Sequence, residues 1–159
     1  MFQQTLYTGK RAEQYDQVIQ QLAALLEGET NKIANLSNAS ALLNQFLERI
    51  NWVGFYLVEH SELVLGPFQG LPACIRIPMN QGVCGTAAGK RTSVVVKDVN
   101  EFSGHIACDP QSQSEIVIPM IKDGELLGVL DIDSPETNRF DELDKTYLEK
   151  FVETLLRFL

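Results

Sequence analysis

Apolar residues recur at three- and four-residue steps at both ends of the chain, and at shorter steps through its middle. Near the start, Ala12, Tyr15, Val18, Ile19, Leu22, Leu25 and Leu26 draw a single stripe on a helix. Gly28 supplies a stop for it, and Thr30 can cap a second helix. The stripe of that second helix runs Ile33, Leu36, Ala39, Leu42, Leu43, Phe46, Leu47. At the far end Asp141 reads as the N-cap of a third helix, with Leu143, Tyr147, Phe151, Leu155 and Phe158 on its apolar side.

Between residues 51 and 135 the pattern changes to short strands and turns. WVGFYLV (52–58) is aromatic and β-branched, and HSE turns the chain before LVL (63–65). CIRIP (74–78) alternates, QGVCGTAAGK (81–90) predicts a short, closely packed helix, and TSVVV (92–96) is a further strand. EIVIPMIKDGELLGVLDID (115–133) is the clearest hairpin, because Asp123-Gly124 suits the primed turn that matches strand twist. Pro119 lacks a backbone donor, which places an edge or a bulge in its first arm. Helices at both ends of a mainly antiparallel sheet predict an α+β fold. With no repeat, low-complexity tract or linker, one domain over 1–159 is expected. The stretch 97–114, KDVNEFSGHIACDPQSQS, is long for an unstructured connection, which marks it as a functional loop.

Composition narrows the function. A hydrophobic share of 45% with 21% charged residues is ordinary for a globular protein. No apolar run reaches the roughly 18 residues that a membrane span needs. The opening MFQQTLYTGKRAEQY lacks the layout of a secretory signal, so a cytoplasmic protein is expected. Twenty-one acidic against 13 basic residues give a net charge of -8, with no basic cluster, which argues against nucleic-acid binding.

The candidate chemistry lies in thiols and carboxylates. Cys74, Cys84 and Cys108 contain no CxxC pair, and a closed zinc site built from cysteine and histidine would need four of five scattered groups. Cys108 lies in the polar loop GHIACDPQS, where a thiol can be exposed and reactive. Asp109 beside it disfavours the thiolate, and His105 could serve as its base. Cys84, among small residues at a helix start, is either a packed small hydrophobe or a thiol acidified by the helix N-terminus. Cys74 opens a strand and reads as structural. Asp131 and Asp133, two apart on one strand, share a face about 6.5 Å apart along it, together with Leu127 and Val129. If that face is buried, both acids must be paired, protonated or ligand-bound. Otherwise they are solvated past the strand's end. Glu115 opens the partner arm. Trp52 and Tyr56, four apart, share one face of their strand and could wall a pocket or fill the core.

Taken together, NWVGFYL (51–57), LGPFQGLPACIRIPMNQGVCGTAA (65–88), VKDVNEFSGHIACDPQSQSEIVIPM (96–120) and GVLDIDSP (128–135) resemble the free methionine-(R)-sulfoxide reductases, a GAF-domain family. The likeness runs over essentially the whole chain, and ACIRI, GVCG and HIACD carry it most specifically. It implies a GAF-type antiparallel sheet with helices, a homodimer, and reduction of free methionine-(R)-sulfoxide without metal or organic cofactor. It further implies Cys108 as nucleophile, passing through a sulfenic acid to a disulfide with Cys84 or Cys74 that thioredoxin reduces. It places Glu115, Asp131 and Asp133 in the pocket, with Trp52 and Tyr56 as its wall and the 97–114 loop as its lid. Three other readings use the same residues: a non-enzymatic GAF ligand sensor, a redox-sensing interaction protein, and a Cys-His hydrolase.

Overall fold

The computed structural model describes residues 2–159. Two helices, α1 (Arg11–Leu26) and α2 (Lys32–Phe46), precede a sheet whose strands are β1 (Trp52–Glu59), β2 (Glu62–Gln69), β3 (Arg76–Pro78), β4 (Val94–Val96), β5 (Ser114–Lys122) and β6 (Glu125–Ser134). Helix α3 (Gly82–Lys90) lies between β3 and β4, and α4 (Glu142–Leu156) closes the chain. The six strands pair antiparallel throughout in the order β3-β2-β1-β6-β5-β4. The result is an α+β architecture, as the residue pattern predicts. No helix among the described residues is long and apolar enough to cross a membrane.

Both faces of the sheet are covered, so its central strands are apolar on alternate sides. Val53, Phe55, Ile116, Ile118, Leu130 and Ile132 pack under α1, α2 and α4. The intervening Trp52, Tyr56, Val117 and Val129 face α3 in a second core. Glu115, Asp131 and Asp133 fall on this second side, by the period-two rule that assigns side chains to faces.

Several expectations are corrected in detail. Asn31, not Thr30, caps α2: its side chain accepts from the Ala34 amide at 3.0 Å, while the Glu29 carboxylate takes the amides of Thr30 and Asn31. Ile33, placed on the apolar stripe, is 67% exposed. The LVL strand extends to Gln69, whereas CIRIP keeps only Arg76–Pro78, because Cys74 is drawn away to another partner. The 97–114 segment holds a 3-10 turn at Val99–Glu101, and its last residue opens β5.

The hairpin turn is as the sequence requires, with Asp123 and Gly124 at φ 51° and 79°. Pro119 lies beyond the short β4, which pairs only with Glu115–Val117, so no ladder donor is missing on that edge. A bulge next to it moves Leu127 onto the helix-covered side, against the expectation that it shares a face with Val129.

Candidate active site

Strands β5 and β6 bring three carboxyl groups together. Glu115 is directly opposite Asp133 and Val117 opposite Asp131, while on the other flank β1 sets Gly54 opposite Asp131 and Trp52 opposite Asp133. Glu115, Asp131 and Asp133 are only 5%, 6% and 9% exposed, so the solvated-end reading of the two aspartates is excluded. Their burial raises every one of these pKa values well above the carboxylate range. Mutual repulsion adds to it: the Asp133 charge acts on Glu115, Glu115 on Asp131, and Asp131 then Asp109 on Asp133. Oδ1 of Asp131 is buried with no hydrogen-bond partner.

Gly54 makes room beside them. A Cβ there would stand 2.3 Å from the Phe68 Cβ and 2.8 Å from the indole of Trp52. Its absence lets Trp52 stack on Phe68 at 5.2 Å and on Tyr56 at 5.9 Å between ring centroids. The polar ends of this stack hold the loop that follows β2: Trp52 Nε1 donates to the Leu71 carbonyl and Tyr56 Oη donates to the Cys74 carbonyl, at 3.1 and 3.0 Å. Burial and the neighbouring acids push the Tyr56 pKa up, so it stays a donor.

Helix α3 closes on the acids from above the sheet. Gly85 fits because a Cβ would come within 2.3 Å of the Pro78 carbonyl. Cys84, one turn in, is 3% exposed, and its Sγ lies 3.9 Å from Glu115 Oε1. Burial, followed by the charges of Asp131 and Glu115, pushes this thiol's pKa well up. The acidifying effect of the helix N-terminus is outweighed, and Cys84 is held as a neutral thiol.

The loop after the Val99–Glu101 turn supplies the remaining wall. Cys108 is bonded to Cys74, 34 residues away, with their Cα atoms 5.3 Å apart, and Cys84 is the free cysteine. The loop is fixed by Asp109, which accepts from Asn51 Nδ2 at 2.9 Å and from the Gln111 amide at 2.8 Å. Asn51 also donates to Ser112 Oγ at 3.1 Å. The small cavity between them, about 30 Å³, is lined by Tyr56, Cys84, Cys108, Glu115, Asp131 and Asp133 together with His105, Asp109, Ser112 and four apolar or small residues.

Six of the eight residues singled out from the sequence thus converge on one cavity. The other two stand one contact away from it: Trp52 stacks on Tyr56, and Cys74 is bonded to Cys108. His105 is in the wall, but it faces a carboxylate, with Nε2 3.7 Å from Glu115 Oε2, and burial lowers its pKa. Sequence alone assigns Asp109 only an effect on the Cys108 thiol and does not single out Ser112 or Asn51, whose side chains join it in clamping the loop. Asp109-Pro110 carries a turn signal that points to the loop clamp, because aspartate at the first position and proline at the second favour a tight turn.

A disulfide-bonded cysteine pair thus stands beside a buried acid cluster on a two-faced antiparallel sheet. A family model for the GAF domain matches residues 13–157. The free methionine-R-sulfoxide reductase of Escherichia coli is 48% identical over 149 residues, covering 94% of this chain and 90% of its own. The Neisseria meningitidis free methionine-R-sulfoxide reductase, solved in complex with its substrate, superposes with a TM-score of 0.95 at 43% identity, covering 99% of this chain and 95% of its own. The reduced form of fRMsr of Staphylococcus aureus superposes with a TM-score of 0.90 at 53% identity, covering 98% and 99%. The chain belongs to the GAF domain family and, within it, to the free methionine-R-sulfoxide reductases.

Proposed function

We propose that this enzyme reduces free L-methionine-(R)-sulfoxide to methionine, with Cys108 as nucleophile and Cys74 as the resolving thiol. The observation that carries the reading is the Cys74–Cys108 bridge at a cavity floored by three buried carboxyl groups. Cys108 lines that cavity and Cys74 does not, which favours Cys108 as the thiol that meets substrate. Cys84, buried and neutral, is the less apt partner.

In the reaction the Cys108 thiolate attacks the sulfoxide sulfur. A neutral carboxylic acid gives its proton to the sulfoxide oxygen as the S–O bond breaks, methionine leaves, and Cys108 becomes a sulfenic acid. The Cys74 thiol condenses with it, releasing water and forming the disulfide. Thioredoxin's dithiol then reduces that bridge by exchange, so that one sulfoxide and one dithiol yield one methionine, one disulfide and one water. The burial and crowding of Glu115, Asp131 and Asp133 support a proton donor among them, with the remaining negative charge serving the substrate ammonium. Tyr56, backed by Trp52, suits the S-methyl group, and the Cys108 loop suits a lid that excludes peptide chains.

One GAF-like unit over 1–159 is enough for this chemistry. The family likeness adds a homodimer, which sedimentation tests, and we infer a cytoplasmic setting in which thioredoxin is kept reduced. The deciding experiment is thioredoxin-coupled NADPH oxidation with separated R and S epimers of free methionine sulfoxide. Turnover with the free R epimer alone supports the proposal. Absence of turnover with either epimer, from folded and reduced enzyme, overturns it and leaves a redox-sensing GAF module.

A further inference from the structure

One thiol at the cavity is left over by the disulfide chemistry. Cys84 Sγ, a Glu115 carboxylate oxygen and an Asp131 carboxylate oxygen all lie within 4.8 Å of one another, and all three side chains are buried. Zinc bonds of roughly 2.0–2.3 Å set tetrahedral donors about 3.3–3.8 Å apart, so small side-chain rotations bring these three into range. Independently, Asp131 Oδ1 is buried with no protein group in hydrogen-bond geometry, on a residue that lines the cavity and is only 6% exposed. A buried acceptor left alone is costly, and it is the kind of atom a cation satisfies.

We propose that Cys84, Glu115 and Asp131 bind a zinc-like divalent cation inside the cavity, and that the cation excludes substrate. The sulfur donor selects zinc or cadmium over magnesium or calcium, which prefer all-oxygen sets. On binding, the metal–sulfur bond forms, the thiol proton and any proton held by Glu115 or Asp131 pass to solvent, and no electron is transferred. Cys84 is free while Cys74 and Cys108 are bridged, so the site persists in the oxidised protein.

That last property gives the test. The full chain, oxidised so that Cys74 and Cys108 are bonded, is titrated with cadmium while the ultraviolet sulfur-to-metal charge-transfer band is followed. One cadmium per chain is expected, with a band that zinc removes and that is missing in Cys84→Ser. Asp131→Asn keeps the thiol and should weaken binding at least about tenfold, with circular dichroism confirming that it folds. A band that survives Cys84→Ser, a band seen only after reduction, or no band at all would each overturn the site. The readout involves no turnover, so its failure leaves the reductase proposal standing, and the reverse also holds.

Discussion

Glu115 on β5 and Asp133 on β6 are directly opposed across the strand pair, with both carboxyl groups on the buried cavity side. Directly opposite side chains have Cβ atoms about 4.5–5.5 Å apart, where two like charges in a dry site cannot both be ionised cheaply. At least one proton is therefore retained near neutrality. An acid donor gives a rate that falls on its alkaline side as the donor loses its proton. Among Glu115→Gln, Asp131→Asn and Asp133→Asn, the change that removes the donor should lower kcat by about 10²–10⁴-fold and erase the falling limb. Three unchanged profiles would contradict the donor role.

The cysteines separate by kind of failure. Cys108→Ser should show no methionine formation at all. Cys74→Ser should release about one methionine per chain and then stop, since the sulfenic acid forms without a partner for resolution. Rapid quench with product counting reads both. In Cys84→Ser the Cys74–Cys108 bridge should still form, seen by peptide mass after oxidation. A Cys84–Cys108 bridge in wild-type enzyme would reverse the assignment.

The outcome shows where local pattern suffices. The hairpin over 115–133 was legible because Asp123-Gly124 accommodates two positive φ angles, and Asp131 with Asp133 was legible as a same-face pair. The displaced face of Leu127 was not, since the bulge lies beside Gly128, where a Cβ would come within 2.1 Å of the Tyr56 carbonyl on another strand. The partner of Cys108 was equally hidden, because 34 residues separate it from Cys74 and closure depends on how β2, β3 and the loop are stacked. Thr30 failed as a cap because the competing acceptor, Glu29, is adjacent in sequence but decided by geometry.

Acid burial also shapes stability. The pKa values of Glu115, Asp131 and Asp133 are raised in the folded state, so the fold holds more protons there than the unfolded chain does. Stability from these groups is fully present below the ordinary carboxylate range and is lost as pH rises through that range toward the raised values. Asp131→Asn carries no such titration. Its melting temperature relative to wild type should therefore rise as pH increases above the ordinary carboxylate range. An offset that stays constant as pH increases would mean the wild-type acid is not held protonated by the fold.

Away from the cavity, Asp144 is a keystone of the other face. It is 1% exposed and joins three elements: Tyr15 Oη of α1 donates to Oδ1 at 2.7 Å, Arg139 Nη1 donates to Oδ2 at 3.3 Å, and the Asp141 amide at the start of α4 donates to Oδ2 at 3.0 Å. Asp144→Ala leaves a buried phenol hydroxyl and the Arg139 guanidinium, only 8% exposed at its side chain, without their partner. The expected loss is about 3–5 kcal/mol, as for one member of a buried ion pair, or about 6–20 °C in Tm for a chain of this size. Tyr15→Phe removes one hydrogen bond to a charged group and keeps the packing, so it should cost about 1.5–3 kcal/mol. Denaturant unfolding of both variants checks the order. Equal losses would mean that Arg139 and the α4 cap contribute nothing beyond the tyrosine bond.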